Sequence, residues 1–322
     1  MGRFSLDEVR AVCKERDAWW TVLLVDPFAI RLTRWLAATR ITPDQITMVA
    51  FALGIGAAVC FAQASTWWLV AGALLYHVGF VLDCCDGKIA RLKGLGSPFG
   101  GWLDFMLDRV RDAVCAIALA VGMYSATGQE AYLWVGFAIL GLDMFRYLNS
   151  SQVAKARRSM RAERQKAARQ AAAALAEESP DIVLRAADAG PAIEAEAEAD
   201  AEAEADAEAE NDADAGPEPA PRPRGRYARI RAFLLRRRIR MHLISGIEFQ
   251  MAAFIIGPLT GQVIPAVAIA GGMLLLFELA LIFRFWQGAR RFAAGRRVNF
   301  GFDLPPQSSG HPAEAVAARA AT

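Results

Sequence analysis

The sequence predicts an all-α integral membrane protein with six transmembrane helices and an N-terminal amphipathic helix at the membrane interface. Three observations carry this. Hydrophobic residues make up 55% of the 322-residue chain and mean hydropathy is +0.24, more than a soluble protein of this length sustains. Six apolar stretches approach or reach the roughly 20 residues that cross a bilayer. Basic residues occur only in alternate connections between those stretches.

Taken in order, MGRFSLDEVRAVCKERDAWW carries charges where a signal peptide would have its apolar core, so no cleaved targeting signal is expected. The stretch DPFAIRLTRWLAATR puts Phe28, Leu32, Trp35 and Leu36 on one helical face, with Arg31 and Arg34 elsewhere on the turn. That pattern predicts a helix lying on the membrane surface and closes an N-terminal segment over residues 1–40. Residues 41–150 hold four spans, expected at Gln45 to Phe61, Trp67 to Leu82, Phe105 to Tyr124 and Tyr132 to Tyr147.

A basic helix is expected over 151–176, followed by a linker over 177–225. The linker is Glu/Asp/Ala-rich and then Pro-rich, with too little apolar surface to offset the entropy of ordering, so it is expected to be disordered. Residues 226–288 return through the basic amphipathic YARIRAFLLRRRIRMHL to two further spans, Leu243 to Gly261 and Val263 to Phe285, and 289–322 form a tail.

Arg31, Arg34 and Arg40 precede the first span, Arg91 and Lys93 join the second to the third, and KARRSMRAERQKAARQ and RFAAGRR follow the fourth and sixth. The connections AQAST, SATGQE and PLTGQ contain no Lys or Arg. Both termini are therefore expected in the cytoplasm of a multi-pass protein. The formal net charge of +2 reflects cancelling acidic and basic blocks, and no nucleic-acid partner is expected. Five cysteines without framework spacing read as reduced thiols. No internal repeat supports a paired-repeat transporter fold.

The chemistry concentrates in DCCDGKIARLKGLGSPFGGWLDFMLD, residues 83–108. If the second helix continues past its apolar run, Asp83, Asp86, Gly87, Ala90 and Arg91 share one face. Gly100, Asp104 and Asp108 share another at four-residue spacing. The short GLGSP connection makes the two helices antiparallel neighbours, so four carboxylates are expected to converge at the membrane edge. Such a cluster needs compensation by divalent cations, and oxygen-only ligation points to two Mg²⁺ or Mn²⁺ ions. Gly87 and Gly100 clear space beside the backbone, and the Arg91 fork suits a phosphate. These residues suggest phosphoryl transfer involving a lipid-soluble molecule. Asp112 extends the acidic row by one turn. Asp143 and Arg146, one turn apart, are able to pair with each other.

The same stretch matches D-x-x-D-G-x-x-A-R-x8-G-x3-D-x3-D without a departure, and so resembles the CDP-alcohol phosphotransferases. TPDQIT, residues 42–47, is similar to that family's nucleotide-contact segment, and its TPD is compatible with the inositol-phosphate branch. The resemblance implies that Asp83 and Asp104 bridge two metals, that Asp86 and Asp108 complete one each, and that Asp108 is also the base. It implies that Thr42, Pro43, Asp44, Gln45, Gly87, Arg91 and Ser97 hold the cytidine diphosphate moiety, and Arg146 is the candidate acceptor contact.

The expected reaction moves a phosphatidyl group from CDP-diacylglycerol to a polar alcohol in phospholipid biosynthesis, releasing CMP. The reverse arrangement passes a headgroup from a soluble CDP-alcohol to diacylglycerol. A non-enzymatic ion or solute carrier is the rival from another class. A homodimer among membrane lipids, with a cytoplasmic active site, is implied by the resemblance.

Overall fold

Small residues set the architecture by letting three helices approach closely. The computed structural model describes residues 4–14, 16–178, 237–239 and 244–299, and the described residues are mostly helical with no strand. The elements are α1 (Leu6–Ala11), a π-helical turn (Thr21–Val25), α2 (Asp26–Ala37), α3 (Pro43–Ala62), α4 (Thr66–Lys93), α5 (Pro98–Thr127) and α6 (Ala131–Glu178). After the undescribed stretch come α7 (Gly246–Met251), a second π-helical turn (Ala252–Ile256), α8 (Gly257–Thr260) and α9 (Val263–Asn299). The described residues up to Leu279 form one compact unit. In the remaining part of α9, Phe283 stacks on Trp286 and Arg290 lies over the same ring at 4.7 Å.

Helix α3 is the keel, and both α4 and α5 pack along it. A Cβ on Gly79 of α4 would lie 3.1 Å from the Ala50 carbonyl oxygen, and one on Gly72 would lie 2.6 Å from the Phe61 ring. A Cβ on Gly122 of α5 would lie 2.6 Å from the Phe61 carbonyl oxygen and 2.7 Å from that of Ala62. In lipid, where apolar side chains gain little by meeting one another, this close backbone packing holds helices together. The shared core includes Phe61, Tyr76, Ile89, Leu119, Phe249 and Phe254. Val59, Leu74, Val78, Ile117, Val121, Phe137 and Leu276 face outward, an apolar girdle unsuited to water.

Among the described residues five helices, α3, α4, α5, α6 and α9, are long and apolar enough to cross a membrane. The segment expected to be the fifth of six spans is shorter. Its described helical part, Gly246–Thr260, rises about 22 Å against a hydrocarbon core of about 30 Å. The Ser245–Glu248 capping box starts it and Gly261, in the left-handed region at φ 68°, ends it. The basic helix expected after the fourth span is no separate element: α6 runs unbroken to Glu178. The acidic linker, most of the basic return segment and the tail beyond Asn299 lie outside the described residues.

Helix α2 buries Ala29, Thr33, Leu36 and Ala37 against the bundle and leaves Phe28 and Trp35 about two-thirds exposed, at 65% and 66%. The face read from sequence as one apolar stripe is thus divided. Leu36 packs inward, and Phe28 and Trp35 point away from the protein. Buried Lys88 of α4 pairs with Asp26 at the start of α2 (3.1 Å), and Arg238 reaches the other Asp26 oxygen at 3.3 Å. The Asp17 N–H donates to the Arg238 carbonyl at 2.9 Å, so residues 237–239 are stitched to the N-terminal segment.

Gly122→Leu is expected to force α5 away from α3 and to destabilise the bundle by about 1–3 kcal/mol, the usual cost of overpacking. Unfolding of the purified variant in detergent measures it, and an unchanged midpoint would contradict the keel packing.

Candidate active site

Helix α4 does not stop where its apolar run ends. DCCDGKIARLK contains no proline and continues helical until Gly94, whose φ of 63° caps it. Asp83, Asp86, Gly87 and Arg91 therefore lie on α4 as expected. Helix α5 starts at the other side of a four-residue link, with Ser97 as its cap: the Gly100 N–H donates to Ser97 Oγ at 2.9 Å and Pro98 fills the first helical position.

Helices α4 and α5, expected as antiparallel neighbours, each pack mainly on α3 rather than on each other. A gap remains between them, and acidic side chains meet across it. Carboxylate oxygens of Asp83, Asp104 and Asp108 all lie within 4.8 Å of one another. Asp86 does not join this group. Three residues past Asp83, it is turned toward α3, where the Thr47 hydroxyl donates to it, and it is buried. The Thr47 hydroxyl also lies 3.2 Å from the Pro43 carbonyl oxygen. The donor set of the three-carboxylate group, oxygens alone, fits a hard divalent cation.

Sequence reasoning missed the basic half of the site. Arg111, 3% exposed, places one nitrogen 2.8 Å from Asp108 and 3.6 Å from Asp83, while its Nε donates to Asp112 at 3.1 Å. Asp112 also accepts from the Tyr76 hydroxyl (2.8 Å) and from Gln250 Nε2 (2.7 Å), and pairs with Arg109 (3.2 Å). Arg109 reaches Asp143 at 2.7 Å and lies 3.8 Å from the Tyr147 ring centroid. The sequence signal was the spacing: 104, 108 and 112 are one row, and 111 is one turn from 108. Tyr76 and Gln250 gave no local signal, since α4 and α7 bring them in from distant positions.

The possible Asp143–Arg146 pairing is corrected too. Asp143 goes to Arg109 and Gln250, and Arg146 makes no ion pair with a described carboxylate. Arg146 instead lies over the Tyr147 ring at 4.8 Å and against Gly246, where any Cβ would overlap its guanidinium. One turn on, Asn149 donates to buried Glu278 at 2.8 Å. Counting Asp83, Asp86, Asp104, Asp108, Asp112 and Asp143 against Arg109 and Arg111, six carboxylates face two guanidiniums. Four formal negative charges are left, as many as two divalent cations offset.

The remaining expected contacts line the same end of the bundle. Thr42 and Gln45 form a capping box at the start of α3, with Pro43 at its first position. Asp44 abuts α5, 3.0 Å from where a Gly100 Cβ would sit. Lys93 donates to the carbonyls of Thr39 and Ile41, 3.0 Å each, and so holds the approach to this segment against α4. Arg91 is exposed, beside Gly87, and its Nε donates to the Val12 carbonyl at 2.8 Å.

Residues 40–177 match the sequence model of the CDP-alcohol phosphatidyltransferase family. The chain is 38% identical over 92 residues to an archaetidylinositol phosphate synthase of Pyrococcus horikoshii, covering 29% of this chain and 47% of that protein. It is 34% identical over 128 residues to a phosphatidylinositol phosphate synthase of Cutibacterium acnes, covering 39% of this chain and 56% of the relative. A bifunctional IPC transferase and DIPP synthase of Aquifex aeolicus is 34% identical over 110 residues, 34% of this chain and 24% of that protein. The matched regions thus span about half of the two synthases and a quarter of the bifunctional protein.

Thr47→Val removes the hydroxyl that donates to buried Asp86, and is expected to cost about 1–3 kcal/mol, the penalty for stranding a buried polar group. Thr47→Ser keeps the donor and should stay near wild type. Equal thermal stability of the two variants in detergent would count against the bond.

Proposed function

We propose that this chain, whose residues 40–177 match the CDP-alcohol phosphatidyltransferase family, transfers a phosphatidyl group from CDP-diacylglycerol to a polar alcohol, releasing CMP. The observation that carries the reading is the meeting of Asp83, Asp104 and Asp108 between two apolar helices. A carboxylate cluster at the end of an apolar bundle serves one reactant that arrives through the lipid and one that arrives from water. With the short α7–α8 segment counted as a span, the alternation of basic connections supports a cytoplasmic side for this end and for both termini. Outward-facing Phe28 and Trp35 suit α2 to the interface there.

Asp83, Asp104 and Asp108, with Asp86 as the fourth carboxylate, would hold two Mg²⁺ or Mn²⁺ ions. When bound, such ions neutralise a diphosphate and make CMP a better leaving group. The chain's own residues do the rest. Gly87 leaves room beside α4, and Arg91 exchanges the Val12 carbonyl for a diphosphate oxygen. Asp108 accepts the proton of the acceptor hydroxyl as its oxygen bonds to the phosphatidyl phosphorus. The P–O bond to CMP breaks and CMP leaves with the bonding pair. Holding the two reactants in line supplies much of the rate.

Arg146 favours a phosphorylated acceptor, since it is polar, partly enclosed and without a carboxylate partner among the described residues. The names of the archaeal and bacterial relatives place an inositol phosphate in their products. An inositol phosphate is therefore the acceptor proposed here, with its phosphate on Arg146. The test is CMP release by purified protein supplied with CDP-diacylglycerol and a panel of alcohols, with the lipid product identified by mass. Release that needs a divalent cation and inositol phosphate supports the reading. Release that instead needs diacylglycerol and a soluble CDP-alcohol overturns the direction of transfer.

Asp108→Asn is expected to retain CDP-diacylglycerol binding and to lose nearly all turnover, and wild-type turnover by the purified variant would remove Asp108 from the proton-accepting role. Arg91→Lys keeps the charge and loses the planar fork. A loss of about 1.5–3 kcal/mol, the worth of a hydrogen bond to a charged group, corresponds to roughly 10- to 150-fold in kcat/KM. The cation requirement should not change. A shifted cation requirement with unaltered donor affinity would mean that Arg91 orients a carboxylate instead.

A further inference from the structure

Arg111 and Asp112 lie just past the motif, yet they are the most completely bonded charged pair in the site. The four donors to Asp112 are the Tyr76 hydroxyl, Arg111 Nε, Arg109 and Gln250 Nε2, at 2.7–3.2 Å. They come from α4, α5 and α7, and they fix the carboxylate in one orientation. That orientation aims the Arg111 fork back at Asp108 (2.8 Å) and Asp83 (3.6 Å). The stem has no freedom to swing aside, because it fills the notch left by Gly54 on α3, where a Cβ would overlap its Cγ and Cδ. A guanidinium stays charged in a protein, so this positive charge is permanent.

We propose that Arg111 is a resident counter-cation of the carboxylate cluster, positioned by Asp112, and that it sets how tightly the cluster binds divalent cations. The inference rests on reading Asp83, Asp104 and Asp108 as cation ligands. Arg111 lowers the repulsion among these carboxylates when no ion is bound, which lets the empty cluster stay assembled. It also competes for the same oxygens when an ion arrives, which weakens binding and eases release. Asp112 moderates that competition by taking up part of the charge of Arg111 and of Arg109. Arg111 is thus a positioning residue: it acts through Asp108 and Asp83, with no contact to substrate required.

The signs of two substitutions follow, and they are opposite. Arg111→Gln removes the competitor, so Mn²⁺ should bind more tightly, by about tenfold or more for a unit charge this close in a partly buried site. Asp112→Asn leaves Arg111 and Arg109 less offset, so Mn²⁺ should bind more weakly by a similar factor. A residue that only held the fold together would weaken binding in both variants or in neither.

The experiment is direct Mn²⁺ binding to the purified full chain in detergent without substrate, read from the free Mn²⁺ signal by electron paramagnetic resonance. Arg111→Lys keeps the charge and should bind within a few-fold of wild type. Where a single neutral variant fails to fold, the double variant Arg111→Gln/Asp112→Asn preserves net charge and still lacks the nearest cation, so it should bind more tightly than wild type. Kinetics give the second readout: Arg111→Gln should lower kcat through a less fixed Asp108 while the KM for CDP-diacylglycerol stays unchanged. Unchanged or weaker Mn²⁺ binding in Arg111→Gln, or in the double variant, overturns the proposal. Wild-type protein that binds no Mn²⁺ would instead overturn the reading of the carboxylates as ligands, so the two failures are distinguishable.

Discussion

Carboxylates that gather at the end of an apolar bundle must be neutralised, and the rest of this structure is arranged around that requirement. Isolated charges away from water are too costly to keep, so each acid near the site is paired, hydrogen-bonded or clustered where a cation can enter. Asp112 and Asp143 are satisfied from within by Arg109, Arg111 and Gln250. Asp86 leans on Thr47. Asp83 and Asp108 share the reach of one guanidinium, and Asp104 clusters with them. The excess negative charge is thus concentrated in one place rather than spread along the helices.

This selective neutralisation also distinguishes the arginines. Arg109 and Arg111 are occupied by carboxylates, and Lys88 and Arg238 by Asp26. Arg146 has an aromatic face and a glycine for neighbours, and Arg91 has a backbone carbonyl, which a diphosphate is able to displace. Arg91 and Arg146, which make no ion pair with a described carboxylate, are the two for which an anionic substrate is proposed, and they are contributed by α4 and α6. The proposed metal ligands and the arginine beside them come from α4 and α5.

How much of this was legible in the sequence depended on whether the relevant spacing was local. The course of α4 through Asp83 and Arg91, and the row Asp104–Asp108, follow from helical periodicity within a single segment, and the structure has both. What periodicity does not encode is the distance between helices. It made α4 and α5 direct neighbours, whereas the glycines at 72, 79 and 122 draw both onto α3 and open the gap between them. Asp86 shared a nominal face with Asp83, but one partner across the bundle, Thr47, decides where it points. Asp112 was visible as the next acid in the row. Its importance was not, because two of its four partners, Tyr76 and Gln250, reach it only when α4, α5 and α7 are packed. The short α7–α8 segment is a similar case: hydropathy extends its apolar run, and the polar Ser245–Glu248 cap shortens the helix.

The gap between α4 and α5 ties packing to chemistry. Had the two helices packed tightly on each other, Asp83 and Asp108 would meet with no space for an ion or a reactant. Had they been splayed further, carboxylates from the two helices would lie too far apart to share a cation. Helix α3 sets the separation because its backbone is met at close range by both neighbours, at Ala50 by α4 and at Phe61 and Ala62 by α5. Gly54, midway along the same helix, receives the Arg111 stem. The helix with no carboxylate in the cluster therefore controls its width and seats its counter-cation, and a substitution on α3 is felt at the site through position rather than through contact with a reactant.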